Sequence, residues 1–152
     1  MEINEIIECL NKMENIAHIN FNNIEQAGLT AEEKVFIKKF QPEKVLIIYG
    51  TLAPGKPNHH LVEHIKGKWQ HGIVRGKLMK EGWGTIIGYD GFVHTSLEEQ
   101  EEIPAFILSS DELIANWPTL DEFEGDGYQR ILAMFELNNG EIGVGYIYAV
   151  YE

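Results

Sequence analysis

The segment Leu120-Asp121-Glu122-Phe123-Glu124-Gly125 places three carboxylates within four residues. Thr119 followed by Glu122 has the spacing of a capping box, which predicts a short helix with Asp121 in its favourable first turn. Those two acids therefore have structural work available. Glu124 does not. It stands at the far end of that turn, just before Gly125, whose type suits a C-terminal cap. The negative end of a helix and neighbouring like charges both raise a carboxyl pKa there. A carboxylate tuned upward is what a general base near neutrality requires. The bland counterpart is a solvated glutamate on a surface turn, the usual fate of that residue.

A second segment, Tyr49-Gly50-Thr51-Leu52, follows the apolar run Val45-Leu46-Ile47-Ile48. A buried strand is expected to end there. The chain then turns through Gly50 and through Ala53-Pro54-Gly55-Lys56-Pro57-Asn58. Glycine lets a backbone approach a ligand closely, and successive exposed N–H groups at such a turn can cradle a carboxylate. Together the two segments describe a strand-end pocket for a small anion-bearing molecule, with a tuned acid beside it.

The elements that must position these residues are legible in part. Ile3, Ile6, Ile7, Leu10 and Met13 recur at helical spacing and predict an amphipathic first helix. Gly28 marks a break, and Thr30-Ala31-Glu32-Glu33 is a capping box opening a second helix. That helix carries Val35, Phe36 and Phe40 and stops before Pro42. Residues 1–44 are expected to form a helical extension packed outside a main domain of residues 45–152. A pocket lid or a dimer contact is the other use such an extension could have. From Trp69 onward short apolar runs alternate with glycine. Residues 73–79, 85–89 and 104–108 have the texture of strands. Ile131, Ala133, Phe135 and Leu137 alternate with mixed residues, and Asn139-Gly140 is the preferred type I′ turn. Ile142, Val144, Tyr146, Tyr148 and Val150 alternate on the return strand, completing a hairpin. Strands in runs, with helices before and between them, indicate an α+β domain.

Composition bounds the function. The 152 residues, 44% of them hydrophobic, suffice for one domain with a real core. The formal net charge of -12 opposes nucleic acid, whose phosphates need a basic stripe. An anionic membrane surface would be repelled for the same reason. No apolar run is long enough to span a bilayer, and the acidic N-terminus is unlike a signal peptide. A single cysteine, Cys9, permits no intrachain disulfide, so a reducing cytoplasm is the expected location. Cys9 lies beside Leu10 with no histidine placed to activate it, and a semi-buried structural thiol is expected.

The strand followed by Tyr49-Gly50-Thr51-Leu52, then Gly55-x-Pro57-Asn58-His59, and later Leu120-Asp121-x-Phe123-Glu124 with Tyr128-Gln129-Arg130, resembles the γ-glutamylcyclotransferase-like superfamily. The likeness is to its γ-glutamylamine cyclotransferase and AIG2-like branch, and it covers residues 45–152. The glutathione-specific branch carries Phe-Gly-Tyr-Gly-Ser-Leu, and here Ile47-Ile48 stand in place of Phe-Gly. The resemblance implies a small mixed β-barrel with surrounding helices. It also implies that Tyr49, Gly50, Thr51 and Leu52 form the substrate-binding loop, that Glu124 is the acid/base, and that Tyr128 lies near the pocket. Tyr128 serves equally well as a half-buried strand residue with a satisfied hydroxyl. The implied reaction is cyclisation of a γ-glutamyl amino acid or γ-glutamylamine to 5-oxoproline with release of a free amine. It needs no metal or other cofactor. A non-catalytic small-molecule-binding module of the same fold is the alternative.

His60-Leu61-Val62-Glu63-His64 spells the H-x-x-E-H pattern of inverted zinc metallopeptidases. A helix begun near Asn58 would put Leu61, Val62 and Ile65 on one face, with His60 and His64 opposite and facing solvent. A zinc hydrolase using these histidines is therefore the weakest reading, because the motif lacks its structural context. Trp69, Trp83 and Trp117 are expected in the core or in pocket walls. Gly82-Trp83-Gly84 could line a cleft, with turn packing as its default role.

Overall fold

The strand Val45–Ile48 (β1) is where the sheet closes. It pairs antiparallel with Glu101–Ser109 (β4), Leu46 facing Leu108, and parallel with Ile142–Val150 (β6), Leu46 facing Tyr146. Around the ring, β4 pairs with Lys68–Met79 (β2), β2 with Tyr128–Leu137 (β5), and β5 with β6. These five strands form a closed, mixed barrel, and Gly91–Val93 (β3) bridges the ends of β2 and β6. Among the described residues three α-helices complete the α+β architecture: Ile3–Asn11 (α1), Ala31–Phe40 (α2) and Leu113–Glu124 (α3). The computed structural model describes residues 2–13, 16–19, 21–50, 52–79, 91–93, 100–125 and 127–150. Thr51, Gly82-Trp83-Gly84 and the strand expected over 85–89 lie outside the described residues.

Closure removes exposed sheet edges and fills the barrel with apolar side chains. Leu46, Ile107, Leu132, Tyr146 and Ile147 are all fully buried. The alternation expected on β6 is overridden, since every residue from Val144 to Val150 is buried. One face meets the barrel interior; the other is covered by the chain that precedes the barrel. Tyr146 donates its hydroxyl to the Ile16 carbonyl at 2.8 Å, and Asn11 exchanges two 2.9 Å hydrogen bonds with the Leu132 backbone. In α1, Ile6, Ile7 and Leu10 are the buried face, as their spacing predicts.

Local signals hold where the chain's own backbone decides the conformation. Thr30 and Glu33 form the complete capping box of α2, and the helix ends at Phe40, before Pro42. Its buried residues are Phe36 and Ile37, while Val35 is 67% exposed. The last hairpin is present, with Arg130 opposite Tyr148. Its turn is not type I′, however. Gly140 has a φ of 89° and no positive φ falls on Asn139. The Gly140 N–H bonds the Leu137 carbonyl at 2.9 Å and the Leu137 N–H bonds the Glu141 carbonyl at 2.8 Å. That is a three-residue loop with the glycine in the left-handed position that follows a type I turn.

Tertiary packing overturns three further expectations. No helix starts at Thr119: α3 begins at Leu113 and carries Pro118 inside it. Leu113, Trp117 and Leu120, at i, i+4 and i+7, are buried together and draw the helix back by two turns. Glu122 is accordingly an exposed residue of the last turn of α3, with no N-terminal capping role. The helix expected near Asn58 is a 3₁₀ turn over His59–Leu61, although Val62 and Ile65 are buried and His60 and His64 exposed, as that reading required. Cys9 is exposed, because α1 turns its Ile6, Ile7 and Leu10 face to the barrel.

Candidate active site

The C-terminal end of α3 places Glu124 as the last helical residue, with Gly125 as C-cap at a φ of 77°. Glu124 is half-buried. Its carboxyl is pushed up to about 7, first by burial and second by the charge of Asp121. Residues three apart lie on one helix face, so Asp121 and Glu124 are neighbours by construction. The direction of this shift and its like-charge component are those the sequence predicts, while burial rather than the helix end is the main cause.

Asp121 has a role the sequence reading missed. Its carboxylate takes a two-pronged ion pair from Arg130, Nε to Oδ1 at 2.9 Å and Nη2 to Oδ2 at 3.1 Å. It also accepts the Tyr148 hydroxyl at 2.6 Å. Arg130 is buried, with its guanidinium 4.3 Å from the ring centre of Trp117 and 4.5 Å from that of Tyr146. The planar, weakly hydrated guanidinium suits both a bidentate carboxylate and a stack of rings. The signal for this was present as the Tyr128-Gln129-Arg130 triplet nine residues after Asp121, but only the strand geometry says which partner the arginine takes.

Tyr49 is held by the strands beside it. Its hydroxyl donates to the Tyr148 carbonyl at 2.8 Å and accepts the Phe92 N–H at 2.8 Å. Burial pushes its ionisation well above the ordinary tyrosine range, and the charge of Glu124 adds to that push. Tyr148 is raised likewise, by burial and then by its bond to Asp121. Both phenols therefore stay protonated and act as fixed donors. Glu124 bears electrostatically on both Tyr49 and Tyr148, and Tyr128 bears on Tyr49. The structure thus brings Tyr49, Tyr128 and Glu124 into one neighbourhood.

The loop after β1 turns at once through Gly50. A Cβ placed on Gly50 would meet no described residue within 4 Å. The Gly50 carbonyl accepts the Ala53 N–H at 3.1 Å. Leu52 is 4% exposed and belongs to the core. Its carbonyl is engaged by His59 Nδ1 at 2.9 Å. Among the described residues, no hydrogen bond uses the N–H of Gly50 or of Leu52. Such N–H groups can receive an anion.

Two cavities flank this neighbourhood. One, of ≈ 450 Å³, is lined by Tyr49, Ala53 and Lys56 of the loop and by His71 and Phe106 of the strands. The other, of ≈ 210 Å³, includes Asp121, Tyr128, Arg130 and Tyr148 in its lining. Among the described residues, no group of three or more His, Cys, Asp or Glu side chains could hold a metal ion. His64 faces Asn116 Oδ1 at 3.4 Å instead. No helix among the described residues is long and apolar enough to cross a membrane.

The model of the family described as gamma-glutamyl cyclotransferase, AIG2-like, matches residues 46–152. Among solved structures, YkqA from Bacillus subtilis is similar with 26% identity and a TM-score of 0.54, over 70% of this chain and 35% of that one. The present chain thus spans about a third of YkqA. An AIG2-like protein from Mus musculus is similar with 22% identity and a TM-score of 0.54, over 72% of this chain and 79% of that one. A protein of Arabidopsis thaliana, At3g28950.1, shares the fold at 16% identity and a TM-score of 0.50, over 70% of this chain and 61% of that one. No curated protein matches.

Proposed function

This chain belongs to the gamma-glutamyl cyclotransferase, AIG2-like family, and from that premise we propose that it cyclises a γ-glutamyl amino acid or γ-glutamylamine to 5-oxoproline, with Glu124 as general acid/base. The observation that carries this reading is the half-buried Glu124 carboxyl, raised to about 7 beside the Tyr49 loop. A base with that affinity for protons works best near neutral pH.

The chemistry follows from the substrate. The α-amine of a γ-glutamyl group curls round to attack its own γ-carbonyl and closes a five-membered ring. Glu124 takes a proton from the ammonium, which frees the lone pair that forms the new C–N bond, and the second proton that the ring nitrogen must lose passes to water. The carbonyl oxygen carries the developing negative charge. As the bond to the departing amine breaks, the proton held by Glu124 passes to that nitrogen. Nucleophile and electrophile share one molecule, so a fixed near-attack geometry supplies much of the acceleration. The N–H groups of Gly50 and Leu52 would hold the substrate carboxylate or stabilise the oxyanion. Tyr49 would act from behind, its hydroxyl fastened at both ends so that the loop keeps its place.

The test is a product screen over γ-glutamyl amino acids and γ-glutamylamines without added metal. Release of 5-oxoproline together with a stoichiometric amine is the expected result. Silence across a broad panel, with glutamate-like compounds still raising the melting temperature, would leave a binding module without turnover.

A further inference from the structure

Linked turns carry the chain away from Tyr49. The Gly50 carbonyl accepts the Ala53 N–H at 3.1 Å and the Ala53 carbonyl accepts the Lys56 N–H at 3.0 Å. The Lys56 carbonyl then accepts the His59 N–H at 3.2 Å, and the His59 carbonyl the Val62 N–H at 2.9 Å. Each bond joins residues three apart and shapes the loop only locally. A longer bond ties the loop across its own length: His59 Nδ1 meets the Leu52 carbonyl at 2.9 Å, seven residues back. A carbonyl can only accept, so Nδ1 carries the proton, whether the imidazole is neutral or charged.

The barrel supports that imidazole. The half-buried His59 ring stands edge-on to Trp69 of β2, with ring centres 5.3 Å apart. Trp69 in turn meets Phe106 of β4 at 6.4 Å. The Leu52–Ala53 peptide unit is therefore fastened at both ends, its carbonyl by His59 and its N–H by the Gly50 carbonyl. A peptide unit is planar, so two fastened ends fix its orientation. Leu52 and Ala53 are themselves held in the core, each 4% exposed. With the residue and the plane that follows it both fixed, the Leu52 N–H has little freedom to turn. Among the described residues that N–H takes no hydrogen bond.

We propose that His59 is a positioning residue for the cyclisation: by holding the Leu52 carbonyl it keeps the Leu52 N–H turned toward the substrate. This rests on the cyclotransferase reading above, in which that N–H holds the carboxylate or the oxyanion. The imidazole itself moves no proton. Its contribution is preorganisation, since a donor already in place needs no realignment during the reaction. His60 is exposed, and His64 faces Asn116 Oδ1 at 3.4 Å. The histidine of this stretch that serves the site is thus the one outside the H-x-x-E-H spelling.

Two substitutions separate the hydrogen bond from the ring contact. His59→Leu keeps apolar bulk against Trp69 and removes the donor. His59→Asn does the reverse, since its Nδ2 replaces Nδ1 as donor while the ring is lost. The measurement is kcat/KM for γ-glutamylmethylamide and γ-glutamylalanine. His59→Leu should lower it about 10- to 100-fold, the scale on which a small misplacement of a positioning group is felt. His59→Asn should recover most of that loss, and His60→Asn should match wild type. His59→Ala carries the comparison where His59→Leu does not fold. A His59→Leu variant as active as wild type, or an equal loss in His59→Leu and His59→Asn, would overturn the proposal. Absence of wild-type turnover would count against the catalytic reading alone. The positioning is then read by calorimetric titration of the same two compounds. Affinity weakened by His59→Leu and restored by His59→Asn supports it; any other pattern, or no binding, overturns it.

Discussion

The Tyr148 hydroxyl donates to Asp121 Oδ1 at 2.6 Å while the Tyr148 carbonyl accepts the Tyr49 hydroxyl at 2.8 Å. One residue of the final strand thus connects the loop after β1 to the end of α3, the two segments whose chemistry defines the candidate site. Tyr49→Phe should remove this connection without changing shape. It removes the hydrogen bonds to the Phe92 N–H and to the Tyr148 carbonyl, each worth about 0.5–1.5 kcal/mol net. We expect a lower melting temperature and a raised KM, read by thermal unfolding and by steady-state kinetics. A variant as stable as wild type would show that the hydroxyl bridge carries no weight.

Glu124→Gln keeps size and hydrogen-bonding capacity but removes the base. Activity should fall about 10²- to 10⁴-fold, the usual contribution of a positioned acid–base group, with circular dichroism unchanged. Glu122→Gln serves as the control, because Glu122 is exposed on α3 and caps nothing. Its turnover and stability should match wild type. A loss at Glu122 with Glu124→Gln active would reverse the assignment of the two acids.

The raised carboxyl of Glu124 has a signed consequence for rate. A base must be unprotonated to act, so kcat/KM should rise with pH through about 7 and level off above it. Removing the Asp121 charge withdraws one of the two causes of that shift. Asp121→Asn should therefore move the ascending limb to lower pH. A limb that stays in place would mean that another group titrates in the reaction.

Stability has its own pH dependence. Glu43 is 7% exposed and its carboxyl, like that of Glu124, is raised by burial to about 7 from an ordinary 4.5. Between those values the folded chain keeps protons that the unfolded chain has released. Stability is therefore full below about 4.5 and is lost as pH rises toward 7. Urea unfolding at pH 5 and pH 8 should show the decline, and Glu43→Gln should reduce it. An unchanged slope in that variant would remove Glu43 as a source.

Gly50→Ala separates folding from binding. Its φ is not positive and an added methyl meets no described residue within 4 Å, so the melting temperature should hold. The methyl would project from the loop. We expect KM for γ-glutamyl substrates to rise severalfold with kcat less affected. Unchanged kinetics would place the substrate elsewhere than against this backbone.

What the sequence determined by itself are the features set by a few consecutive residues. The capping box of α2, the buried strand before Tyr49, the glycine after Glu124 and the existence of the last hairpin all rest on hydrogen bonds and periodicities within one element. Even there a turn type was misread, because Asn-Gly suits more than one loop and the register of the strands chooses among them. Tertiary structure decided the rest. Thr119–Glu122 has a cap's spelling, yet Leu113 and Trp117 bury themselves and carry the helix through it. Asp121 finds Arg130 because β5 follows α3 back across the barrel. Tyr49 finds Tyr148, 99 residues away, because β1 and β6 run parallel at the seam. The burial that raises Glu124 is set by the fold around it. It arises only when the sheet closes and α3 packs against it, since desolvation is a property of the folded surroundings and not of a motif.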